Sequence, residues 1–146
     1  MMLTMYPAVF YEYADGKYDV VFPDLNHLAT CGDSFEDAMA MAIDCLAGYA
    51  FTEKLDGHTL PAPTPFADFD PHCEDDGDEA ENGIVRTFGS VVSVDVDEYA
   101  RTHFSKPVKK TLAIPAWLND MATRQNINFS KTLQAALMRE LGIDKA

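Results

Sequence analysis

The run Lys106 to Gly142, KPVKKTLAIPAWLNDMATRQNINFSKTLQAALMRELG, most constrains what this chain can fold into. From Val108 to Ile114 it alternates. Val108, Leu112 and Ile114 are apolar, whereas Lys109, Thr111 and Ala113 are polar or small, which is the period of a strand with one buried face. Pro115 ends that strand and suits the first turn of a helix. Trp117, Leu118, Met121 and Ala122 share one helical face. Asn126 to Asn128 interrupts, and Asn128 is a good N-cap. Phe129, Leu133, Ala136, Leu137 and Leu141 make the next apolar stripe, and Gly142 is a good stop at C′. One strand and two helices leave an unpaired edge and a half-covered apolar face. The simplest remedy is a second copy, with two strands paired antiparallel and four helices intertwined.

This stretch resembles the ribbon-helix-helix family of DNA-binding dimers. The resemblance implies a two-stranded ribbon in the major groove. Lys109, Thr111 and Ala113 would then face the bases, with Lys110 beside them. The start of the second helix, Asn128, Phe129 and Ser130, would hold a phosphate with its free amides, and Lys131 would add charge. Val108, Leu112, Ile114, Trp117, Leu133 and Leu137 would form the dimer core. Trp117 is expected inside that core rather than stacked on a base.

The charge distribution fits a division of labour. The net charge is -13, yet residues 101–146 carry 8 basic and 3 acidic side chains. Residues 1–100 carry 21 of the 24 acidic side chains and 3 of the 11 basic ones. Such asymmetry points to a basic nucleic-acid module joined to an acidic module, which either serves solubility alone or binds a basic protein. Cys31, Cys45 and Cys73 are odd in number and lack paired spacing, so neither a disulfide framework nor a zinc knuckle is expected. No run approaches the ~20 apolar residues that would span a bilayer, and no signal peptide is evident. A cytoplasmic location with no membrane partner is the expectation.

In chain order, Tyr6 to Tyr13 reads as a strand, Ala14-Asp15-Gly16 as a hairpin turn, and Lys17 to Phe22 as the returning strand. Pro23-Asp24-Leu25 breaks it. His27 to Cys31 reads as a third strand, ended by Gly32. Asp33 or Ser34 caps a long helix, with Glu36 and Asp37 in its first turn. Phe35, Ala38, Met39, Ala42, Ile43, Leu46, Tyr49 and Ala50 follow helical spacing. Leu60 to Pro65 is extended by its prolines. Asp68 to Glu81 holds eight acidic residues and no Lys or Arg, so 68–83 reads as a solvated, mobile insertion. Asn82-Gly83 is a turn. Ile84 to Val96 is β-rich and broken near Gly89, making Val91 to Val96 the fourth strand. Asp97 to His103 reads as a short helix, and Lys106-Pro107 as the hinge. The domains are thus 1–104 and 105–146, and the fold class is α+β, with the order β-β-β-α-β-α before the ribbon-helix-helix.

The run Phe22-Pro23-Asp24-Leu25, followed by Ala29-Thr30-Cys31-Gly32-Asp33-Ser34-Phe35-Glu36-Asp37-Ala38, resembles the HicB antitoxin family. The resemblance implies a partial RNase H-like domain ahead of a DNA-binding domain, in a type II toxin–antitoxin system. It implies that the chain neutralises HicA, a small mRNA-cleaving RNase with a double-stranded-RNA-binding fold and a catalytic histidine. It also implies repression of the chain's own operon at operator DNA. Carboxylates suit a toxin surface built to hold RNA phosphate. Toxin contacts are expected at Asp24, Asn26, His27 and Asp33. One departure is visible: the family commonly has Pro-Gly-Cys after Pro-Asp-Leu, whereas this chain has Asn26-His27-Leu28.

An RNase H-like fold invites a nuclease reading. That chemistry needs carboxylates converging on metal ions, one of them central on the first strand. Here the first strand offers only Glu12, near its end, and Asp15 and Asp24 flank turns where Asp is expected anyway. The acidic run fails the calcium-loop pattern around Gly77, because His72 and Gly83 occupy the first and last ligand positions. No cofactor, metal or catalytic residue is therefore expected. The rival reading is a ribbon-helix-helix repressor whose N-terminal domain senses a small molecule.

Overall fold

The computed structural model describes residues 2–104 and 107–143. The chain divides into two compact units, Met1–Lys106 and Pro107–Ala146. The expected hinge at Lys106-Pro107 lies partly outside the described residues.

The first unit is a four-stranded antiparallel sheet with helices. Strands β1 (Thr4–Tyr13), β2 (Tyr18–Phe22), β3 (Leu28–Gly32) and β4 (Ile84–Val94) lie in the order β3-β2-β1-β4. Helix α1 (Phe35–Leu55) crosses one face, and α2 (Val96–His103) follows β4. Alternation along β1 sends Tyr6, Ala8 and Phe10 to the helix side, where they meet Val20, Phe22, Val92 and Val94. From α1 come Ala38, Ala42, Leu46, Ala47 and Ala50. Burying each of the larger side chains, Phe10, Phe22 and Leu46, stabilises the fold by about 1.5–3 kcal/mol.

The alanines let α1 approach the sheet closely, and Gly32 shows how closely. A Cβ built there would lie 2.3 Å from the Ala38 amide nitrogen, so only glycine fits. Ser34, not Asp33, is the N-cap, its Oγ accepting from the Asp37 amide at 3.1 Å. The Asp37 carboxylate answers by accepting from the Asp33 amide at 2.8 Å. At the other end, α2 is held by the Tyr99 hydroxyl donating to Asp44 at 2.9 Å and by Phe104 against Phe51.

Two expectations about β4 are corrected. The strand is not broken near Gly89, which sits in unbroken register opposite Val9. Nor does it reach Val96: Asp95 caps α2 by accepting from the Glu98 amide, so Val96 is the first helical residue.

The segment leading into and through the acidic run lies across the second face of the sheet. The Tyr6 hydroxyl donates to the Pro61 carbonyl, and Thr64 donates to Asp24 through both its amide (2.8 Å) and its hydroxyl (2.9 Å). Phe66 and Phe69 stack, and Phe69 and Pro71 pack over Gly89. The chain returns to β4 beside the hairpin, where the Ala14 amide donates to the Gly83 carbonyl. Val9 and Tyr11, on this outer face, are buried as a result. Eight carboxylates stay at the surface while the few apolar residues among them anchor the segment.

The second unit holds α3 (Ala116–Arg124) and α4 (Phe129–Glu140). Asn128 caps α4, accepting from the Lys131 amide at 3.0 Å. Gly142, at φ 72°, ends it: its amide donates to Arg139 and that of Ile143 to Met138, a Schellman pair. The strand expected at Val108–Ile114 is absent from the single chain. A strand needs a partner for its backbone groups, and one copy supplies none. Trp117, expected in a core, is 64% exposed, and Leu118, Met121, Leu133 and Leu137 are exposed with it.

Candidate functional site

Of the expected toxin contacts, Asp24 is committed internally. Both its oxygens are taken by Thr64, so it pins the start of the acidic cover. Asn26 and His27 follow at the end of the short 3-10 turn Pro23–Leu25, and both adopt positive φ, 56° and 58°. Consecutive left-handed residues are unfavourable for any side chain, least so for Asn and His. His27 stands where the family pattern has glycine, so the departure seen in the sequence falls on a position whose backbone suits glycine. Asn26 donates to the Tyr49 hydroxyl at 3.3 Å, tying the loop to α1. His27 remains largely exposed, with Nδ1 2.7 Å from Glu74. Asp33 is exposed beside the α1 cap. His27 is thus brought together with the acidic cover, while Asn26 is tied to α1 and Asp24 holds Thr64 at the start of the cover. Sequence reasoning missed Thr64 and Glu74, which lie 40 and 47 residues from their partners and leave no local signal.

The cover gives this face its electrostatics. Burial, reinforced by the Asp75 and Glu74 carboxylates, pushes the Tyr11 hydroxyl up to about 12. The Tyr13 hydroxyl is pushed up to about 12 chiefly by its 2.6 Å hydrogen bond to Asp19. Burial likewise raises the Cys73 thiol, with Glu74 and Asp70 adding to it. The Glu12 carboxylate lies 3.4 Å from Arg86, an ion pair whose angle makes no hydrogen bond, leaving Oε2 without a donor. At the end of α1, Glu53, Asp56 and His58 place ligand-type atoms within 4.8 Å of one another. His58 pairs with Glu53 at 3.2 Å there, on the surface.

In the second unit the candidate DNA-binding side chains Lys109, Lys110, Thr111 and Ala113 are exposed along the segment before α3. At the start of α4, Asn128 consumes the Lys131 amide, so Phe129 and Ser130 carry the first-turn amides left for an anion. The dimer candidates Val108, Leu112, Ile114, Trp117, Leu133 and Leu137 are all exposed in the single chain. Among the described residues, no helix is long and apolar enough to cross a membrane.

The chain thus comprises an acidic sheet-and-helix unit and a basic helix pair in which, among the described residues, none is buried. Residues 5–70 match the family described as HicB_like antitoxin of bacterial toxin-antitoxin system. Over 95% of its length the chain is also 32% identical to a chain of a toxin-antitoxin complex from Streptococcus pneumoniae, covering 99% of that chain with a TM-score of 0.57. The chain belongs to the HicB-like antitoxin family. It is also similar to the antitoxin HicB of Burkholderia pseudomallei, at 19% identity over 99% of this chain and 100% of that one, with a TM-score of 0.48. No curated protein matches it.

Proposed function

We propose that the chain neutralises a HicA-like mRNA-cleaving toxin through residues 1–104 and represses its own operon through a ribbon-helix-helix dimer formed by residues 105–146. The observation that carries the first half is the 32% identity, across nearly the whole chain, to a member of a toxin-antitoxin complex. The acidic cover and the adjoining Asn26-His27 loop offer a basic RNase a surface of the sign that RNA would present. The second half rests on residues 107–143. Their apolar side chains are exposed in one copy, their strand-like segment is unpaired, and their charge is positive. Intertwining two copies would bury those faces and pair the two segments as a ribbon. The chain then acts in the cytoplasm, as a binding protein with no chemistry of its own.

The test is RNA cleavage by the purified toxin encoded beside this gene, with and without equimolar full-length chain. Intact RNA in the presence of the chain is the expected result. Undiminished cleavage overturns the antitoxin reading. A mobility-shift titration on the DNA upstream of the operon examines repression separately, and equal affinity for that DNA and for random sequence overturns it.

A further inference from the structure

The acidic cover protects only part of the outer face of the sheet. Phe69 and Pro71 lie over Gly89, which stands opposite Val9. The other side of that face, over β2 and β3, stays open as a groove of about 410 Å³. Strand pairing sets its lining. Val20 and Phe22 point into the core under α1, so Asp19 and Val21 point away from it. Cys31 stands opposite Asp19, and Ala29 opposite Val21. Both are small and exposed, and they leave the space above Val21 unfilled. Tyr11, Tyr13 and Ile84 wall the opposite side. The Tyr13 hydroxyl donates to Asp19 Oδ2 at 2.6 Å, which orients the carboxylate and leaves Oδ1 to an outside donor. Glu74 and Asp75 of the cover add negative charge at Tyr11. Among the described residues, no Lys or Arg lines the groove or pairs with Asp19.

We infer that this groove takes an arginine side chain of the basic RNase proposed as partner. The inference rests on the toxin-binding reading and names one place where that binding acts. A carboxylate without a basic neighbour selects a cation. The apolar floor of Val21 and Ala29 selects one carried on a hydrocarbon stem. The tyrosine walls select a flat one. A guanidinium stacks on an aromatic face and forks onto a carboxylate, whereas a lysine ammonium is a compact, strongly hydrated point charge. Other carboxylates of the unit are already committed within the fold: Asp24 to Thr64, Glu74 to His27 and Asp37 to the start of α1. Asp19 combines a fixed orientation, an unfilled cavity and an oxygen left over.

The experiment titrates the full-length chain with the purified toxin encoded beside its gene, by calorimetry, with circular dichroism to verify folding. Asp19→Asn removes the charge and keeps an acceptor for Tyr13. Cys31→Arg sets the chain's own guanidinium opposite Asp19 and fills the groove from within. Each is expected to weaken toxin binding by about tenfold or more. Cys31→Ala, and Asp56→Asn at the exposed end of α1, are expected to bind as the wild type does. Wild-type affinity in either Asp19→Asn or Cys31→Arg overturns the inference and leaves the antitoxin reading standing. So does a loss in Asp56→Asn as large as that in Asp19→Asn, since the effect is then general charge. A wild-type chain that does not bind the toxin overturns both. Should the variants fail to fold, alkylation of Cys31 on the wild-type chain decides. The toxin is expected to slow it, and an unchanged rate in the complex overturns the proposal.

Discussion

The Phe69 ring lies against Gly89 so closely that a Cβ on the glycine would come within 3.1 Å of it. This contact joins the acidic segment to β4 and makes that segment a structural part of the unit. Gly89→Leu should therefore push Phe69 and Pro71 off the sheet and destabilise the fold by about 1–3 kcal/mol. Deleting 68–81 should also lower stability, because it uncovers Val9 and Tyr11. Urea denaturation checks both; a deletion as stable as the wild type would show that the cover contributes nothing.

Gly32 tolerates even less. A methyl group there meets the α1 backbone at 2.3 Å, and a backbone cannot swing aside as a side chain can. Gly32→Ala should shift α1 from the sheet at a cost of roughly 3 kcal/mol or more. A midpoint unchanged in chemical denaturation would contradict the packing described.

Alkaline pH should weaken the fold in a defined window. Tyr11 and Tyr13 are both raised from 10.0 to about 12 in the folded chain. The folded state holds these protons more tightly than the unfolded one, so their contribution is complete below pH 10 and is lost as pH rises toward 12. Urea midpoints measured from pH 8 to 12 should be flat and then fall. Tyr13→Phe should reduce the slope of that fall, since its hydroxyl and the Asp19 bond are removed together.

Operator recognition should separate base reading from phosphate holding. Thr111→Ala should weaken binding to the operator more than to random DNA, whereas Lys131→Ala should weaken both. Affinity should drop steeply with salt in every case. Fluorescence anisotropy titrations at two salt concentrations provide the measurement, and wild-type operator affinity in both variants would rule out the assigned face.

Much of the architecture was legible because it is local. The run Tyr6 to Tyr13 and the Ala14-Asp15-Gly16 turn marked β1 and β2, the Gly32-Asp33-Ser34 cap marked the start of α1, and Asn128 and Gly142 marked the ends of α4 within a residue. These signals need only neighbours a few positions apart. The strand expected at Val108–Ile114 shows the limit of such signals: alternation states which face wants burial, but the hydrogen bonds must come from another strand.

What the amino-acid order by itself determined was element type, charge asymmetry and the two-unit organisation. Only the tertiary structure decided what the acidic segment does. Its composition indicates solvation, because carboxylates dominate any average taken along the run. The outcome is set instead by a few minority contacts made at long range: Thr64 on Asp24, Phe69 and Pro71 on Gly89, and Glu74 on His27. The same holds for Asp24, which looks like an ordinary turn residue and becomes a buttress once the fold delivers a partner from 40 positions away. Local patterns follow from the spacing of side chains along the backbone. The value of a long-range contact exists only after the sheet has formed and brought its two ends together.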